Sequence, residues 1–122
     1  MKIALLAVAG AAGALARYGL GSAFTSRDFP WTTLGINLVG SFALGFLLRA
    51  GDLRGWSDVV TVSLGAGFLG AFTTFSTFSV ETQAMLRDGR TVSAGLYVCA
   101  SVVGGIAAAG AGYALATSRG AG

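Results

Sequence analysis

The side chains through which this sequence can do chemistry are almost all uncharged. It holds no histidine, five acidic residues and one cysteine in 122 positions. General acid–base catalysis and His, Cys or carboxylate metal sites therefore have almost no raw material, and the lone Cys99 excludes an intrachain disulfide. The unusual segment is Gly70-Ala71-Phe72-Thr73-Thr74-Phe75-Ser76-Thr77-Phe78-Ser79, with five hydroxyls and three phenylalanines in positions 72–79. Phe72, Phe75 and Phe78 recur every three residues and Phe68 extends the series. On a continuous helix this makes one face aromatic and the adjoining face hydroxylated.

The plain use of such a block is ring packing, with hydroxyls bonded back to their own helix. The alternative starts from Gly65, Gly67 and Gly70 just before it and the β-branched threonines within it, a composition that favours opening of the helix. Bared carbonyls suit a small cation, whereas bared N–H groups and hydroxyls suit an anion. Ring edges are electropositive and line an anion route without a fixed charge. Asn37, among apolar neighbours, serves either as an interhelical hydrogen bond or as a donor to a permeating anion. Tyr97 and Ser101, four residues apart, extend a hydroxyl track or simply bond neighbouring helices. Arg17 and Glu81 snorkel to an interface or pair with each other, or Arg17 concentrates anions at a pathway mouth. No acid lies near the middle of an apolar run, which argues against a proton-coupled carrier.

The elements that must position these groups are membrane helices. Hydrophobic residues make up 54% of the chain, charged residues 11%, and 20 are glycine; the mean hydropathy is +0.74. Apolar runs predict four spans, at 3–23, 31–48, 59–85 and 92–116. At roughly 20 residues each they leave little beyond loops. The whole chain, 1–122, reads as one all-α membrane domain, with the third helix broken near its centre. Short polar, charged segments at 25–28, 49–55 and 87–90, the last two with glycine, are the expected loops, with Pro30 at a helix start and Trp31 and Trp56 at headgroup depth. The net charge of +3 is loop charge and does not suggest nucleic acid. Lys2, the first apolar run and Ala14-Leu15-Ala16 imitate a signal peptide, but the run is glycine-rich and three further spans make a leader unnecessary. Gly65-Ala66-Gly67-Phe68-Leu69-Gly70 matches a dinucleotide fingerprint but lacks the preceding strand. The glycines read better as close helix contacts.

Four spans place Lys2, Arg49, Arg54 and Arg119 on one side of the bilayer and Arg17, Arg27, Arg87 and Arg90 on the other. Orientation follows the Lys/Arg bias of short loops, so this balance leaves both orientations open. Opposed copies can form a two-fold dimer with its axis in the membrane plane, and the small bundle favours a pathway at such an interface.

The segments Gly13-Ala14-Leu15-Ala16-Arg17-Tyr18, Thr33-Leu34-Gly35-Ile36-Asn37-Leu38-Val39-Gly40-Ser41-Phe42 and Gly67 through Ser79 resemble the Fluc (CrcB) fluoride channel family. The likeness covers all four spans; the fourth matches mainly through Tyr97 and Ser101. The resemblance implies an antiparallel dual-topology dimer with two fluoride pores and a central structural sodium ion. It implies no enzymatic activity, and passive fluoride efflux across the cell inner membrane that lowers cytoplasmic toxicity. Carried over, Asn37 is the pore asparagine, Phe75 and Phe78 present ring edges to fluoride, and Ser76, Thr77, Tyr97 and Ser101 belong to the polar track. Main-chain oxygens between Gly70 and Thr73 would hold sodium, and Arg17 would stand in the vestibule. Where relatives often continue the track with a serine, this chain has Gly105. The partner is an identical chain or a paralogue. A small multidrug-type proton-coupled exporter is the rival transporter, but it needs a glutamate where this chain has Arg17. A non-transporting packing subunit would explain the glycines and not the Thr/Ser/Phe block.

Overall fold

A computed structural model describes residues Met1–Gly120. Its helices are α1 (Lys2–Ala23), α2 (Trp31–Arg54), α3 (Asp58–Val62), α4 (Gly70–Phe72), α5 (Phe75–Arg87) and α6 (Thr91–Gly120), with a π-type segment at Ser63–Leu69 joining α3 to α4. Four stretches among the described residues, Lys2–Ala23, Trp31–Arg54, Asp58–Arg87 and Thr91–Gly120, are long and apolar enough to cross a bilayer. The shortest has 22 residues, which at 1.5 Å per residue matches a hydrocarbon core of about 30 Å. The chain is an all-α, multi-pass membrane protein. Large apolar side chains such as Val8, Val39, Phe75, Val103 and Ile106 stand exposed on the single chain.

The second helix is longer than its apolar run. Residues 49–54, expected in a loop, continue the helix to Arg54. Arg49 is held by α6: its guanidinium lies 5.1 Å from the Tyr113 ring centre and its Nε donates to Thr117 Oγ1 at 3.0 Å. Charge alone does not stop a helix; the stop is Gly55, at φ 64°, a conformation that costs other residues a steric penalty. The Trp56 N–H closes the turn on the Gly51 carbonyl at 2.9 Å. Gly89, at φ 77°, turns the chain between α5 and α6 in the same way.

Packing follows the glycines. Helix α2 lies along α6, and α1 lies along the π-type segment. A Cβ on Gly45 would collide with the Ala109 carbonyl, one on Gly112 with the Phe42 carbonyl, and one on Gly13 with the Phe68 carbonyl. These helices touch backbone to backbone, the contact that dispersion favours where lipid supplies no hydrophobic drive. The buried cluster of Leu34, Met85, Ala94 and Tyr97 ties α2, α5 and α6 together, with Phe29, Leu38, Phe78 and Ala100 packed on it.

Candidate functional site

The third span is interrupted at Thr73 and Thr74. Helix α4 ends at Phe72, both threonines are extended (ψ 161° and 121°), and α5 begins at Phe75. Such a gap strands backbone groups at membrane depth, where each must find a partner. Two neighbouring helices supply them. The Thr74 N–H donates to Asn37 Oδ1 at 2.8 Å, and Asn37 Nδ2 donates to the Thr74 carbonyl at 3.0 Å. From α1, Arg17 Nε donates to the Ala71 carbonyl at 3.2 Å. Thr74 Oγ1 then caps α5 by accepting from the Thr77 N–H at 3.2 Å.

These bonds divert the donors that a continuous helix would send to the carbonyls four residues back. Thr74 N–H is lost to Gly70, and Thr77 N–H is lost to Thr73. The two carbonyls at which the resemblance puts sodium, Gly70 and Thr73, are therefore among those that the interruption deprives of their helical donors. Hard oxygen donors of this kind fit an alkali or alkaline-earth cation. Among the described residues no group of three or more His, Cys, Asp or Glu offers a competing site.

The interruption also divides the phenylalanines. Phe68 stacks on Phe72 with centroids 5.9 Å apart, whereas Phe75 sits 5.7 Å from Phe78, and Phe78 lies 5.0 Å from Tyr97. The single aromatic face expected of a continuous helix becomes two pairs on two half-helices. Phe72 is buried, and Phe75 is 78% exposed on the lone chain.

Two cavities meet at Thr74. One, of about 260 Å³, lies between α2, α5 and α6 and is lined by Asn37, Ser41, Thr73, Phe75, Phe78 and Ser101 among others. It holds no charged side chain, and the Ser101 Oγ is sealed from solvent without a hydrogen-bond partner. The other, of about 440 Å³, is bordered by Arg17, Thr33, Thr77 and Glu81. Tyr97 is fully buried and its hydroxyl donates to Glu81 Oε1 at 3.4 Å. Arg17 and Glu81 thus bond to different partners. Ser76 lies exposed on α5 and lines neither cavity. Several hydroxyls of the block are spent locally: Thr73 Oγ1 donates to the Leu69 carbonyl at 3.1 Å and Ser79 Oγ to the Phe75 carbonyl at 3.0 Å. Thr33 and the cap Thr74 belong to the site although the spacing of the block did not single them out. Thr33, one helical turn before Asn37, had a usable signal in that i, i+4 step.

A family described as CrcB-like protein, Camphor Resistance (CrcB), matches residues 4–113. The chain belongs to the CrcB family. This chain is 47% identical over 112 residues to a relative from Sphingopyxis alaskensis, covering 88% of this chain and 89% of that one. Another, from Geobacter sulfurreducens, is 48% identical over 105 residues, covering 82% and 84%. A third, from Symbiobacterium thermophilum, is 44% identical over 124 residues and spans 98% of this chain and all of its own length. The first two are named fluoride-specific ion channel FluC, and the third fluoride-specific ion channel FluC 1. The CrcB match takes in α1 through most of α6, and so every residue assigned above to the interruption and its cavities.

Proposed function

We propose that this chain is one protomer of a passive, fluoride-selective channel, and not an enzyme. The observation that carries this reading is the uncharged cavity at the interruption of the third span, where Asn37, Ser101 and the Phe75 and Phe78 rings converge in a chain whose relatives are named fluoride channels. Fluoride holds its water strongly, so a narrow route must replace that shell with close donors. Amide N–H, hydroxyl O–H and aromatic edges do so without fixed charge. A cation at mid-route would bind the ion too tightly to release it. The one arginine near the site is set apart, bonded to the Ala71 carbonyl and facing the larger cavity. There Arg17 raises the local anion concentration at the entrance.

The finer architecture extends the same reading. Two copies, inserted in opposite senses, form an antiparallel homodimer with two pores in the cell inner membrane. Ser76 and the exposed ring of Phe75 meet the partner, and Thr77, Tyr97 and Ser101 continue the lining. A sodium ion at the dimer centre would be held by the Gly70 and Thr73 carbonyls of both copies, and it supplies a fixed positive charge that joins the two interruptions. The interrupted third helix is the element that makes both the cradle and the lining.

Purified protein in fluoride-loaded liposomes, followed with a fluoride electrode, tests the reading. Rapid fluoride release that protein-free vesicles lack is expected, with Phe78→Ile and Asn37→Asp each slowing it while the protein elutes at its normal size. Wild-type release from the double variant would refute the lining, and no release from the unmodified protein would refute the channel.

A further inference from the structure

Helices α2 and α6, which wall the smaller cavity through Asn37, Ser41 and Ser101, carry two ladders of matching step. On α2, Thr33, Asn37 and Ser41 are four residues apart; on α6, Tyr97, Ser101 and Gly105 are four residues apart. Spacing of i, i+4, i+8 keeps each set on one side of its helix, and α2 and α6 lie against each other. Asn37, Ser41 and Ser101 line the smaller cavity, Thr33 borders the larger one, and Tyr97 is buried with its hydroxyl on Glu81. The last rung is different on the two helices. Gly105 contributes no side chain, and a Cβ built there would stand 3.8 Å from the Ser41 Oγ. Ser41 therefore points across the helix contact at the position that α6 leaves empty, on the wall it shares with Asn37, Phe75, Phe78 and the unpartnered Ser101 hydroxyl.

We propose that Ser41 is a fluoride donor of the pathway, its hydroxyl supplying from α2 the contact that Gly105 cannot supply from α6. The inference rests on the fluoride-channel reading and adds a residue to it. A serine hydroxyl is a neutral donor whose proton rotates to the ion. With no side chain at Gly105, the ion has room beside that hydroxyl, and it passes from the Ser101 Oγ to the Ser41 Oγ without meeting a charge. The same 3.8 Å is ordinary van der Waals distance, so position 105 accommodates a Cβ, from which a serine hydroxyl would be directed to the same space.

Fluoride release from liposomes is the measurement, made on Ser41→Ala, on Ser41→Cys, which keeps the size of the side chain but replaces the hydroxyl with a poor donor, and on each combined with Gly105→Ser. Loss of one neutral donor should slow release about five- to tenfold in both single variants. Elution volume and melting temperature should match the unmodified protein, and Gly105→Ser should restore most of the rate. Rescue separates a donor from a packing residue, because a hydroxyl on the opposite helix does not refill the space vacated at Ser41. If the unmodified protein conducts and neither single variant is slower, Ser41 is no donor and the channel reading stands. Slow variants that Gly105→Ser does not rescue assign Ser41 to packing and overturn the proposal. An unmodified protein that does not conduct removes the channel reading and this inference with it.

Discussion

At the residue scale the site turns on Asn37, whose carboxamide matches both the donor and the acceptor of one peptide group. Its Oδ1 and one Nδ2 hydrogen are committed to Thr74, and the second Nδ2 hydrogen is left for the cavity that Asn37 lines. The two roles that the sequence leaves open, structural bond and anion donor, are therefore compatible in one side chain. Asn37→Asp keeps the acceptor, loses both donors and adds a negative charge. It should lower stability by about 1–3 kcal/mol through the unmatched Thr74 carbonyl, read as a drop in melting temperature in detergent. Asn37→Leu should cost more, since both Thr74 groups lose their partner, and equal melting of the two variants would show that the N–H of Thr74 finds another acceptor. The need of Asn37 for partners was legible from an amide among apolar neighbours. Its partner was not, because the Thr74 backbone is free only where the third helix parts, and no periodicity encodes that point.

At the scale of elements, composition located the four spans but not where polar residues stop belonging to a helix. Arg49, Asp52 and Arg54 read as loop by charge and fold as the last turns of α2, because α6 offers Arg49 a ring and a hydroxyl. The aromatic face read from three-residue spacing assumed an unbroken helix and is divided at Thr73 and Thr74. Glycine spacing, by contrast, pointed to close helix contacts, and Gly13, Gly45 and Gly112 each rest on a neighbouring backbone. Alanine at Gly45 or Gly112 should push α2 from α6 and cost about 1–3 kcal/mol. Alanine at Gly95, where a Cβ meets nothing within 4 Å, should leave melting unchanged or raise it slightly. Equal effects at the three positions would contradict the backbone contact. Removing the cap with Thr74→Ala should cost about 1 kcal/mol and loosen the start of α5, seen as faster amide exchange at Ser76 and Thr77.

For the molecule as a whole, the balance of basic residues on the two sides and the wide apolar surface of the single chain go together. A chain inserted in both senses can cover part of that surface with its own reversed copy. Cysteine tags placed at the two ends should be modified from both faces of the membrane. Two lysines added beside Gly55 should restrict labelling to one pattern, and fluoride release should then collapse unless a chain biased the other way is co-expressed. Labelling from a single face in the unmodified protein would remove the antiparallel dimer.

The π-type winding at Ser63–Leu69 gives the molecule an uneven tolerance to changes in length. Its bonds reach back five residues where an α-helix reaches four, so the segment carries a surplus residue relative to a regular turn. Excising one position there lets the coil tighten and still deliver the threonine gap to Asn37 in the same azimuth. The same excision in α2 ahead of Asn37 swings that side chain by about 100° relative to the preceding turn and breaks its register with the gap. Shortened descendants of this sequence are thus expected to have lost their residue between Ser63 and Leu69.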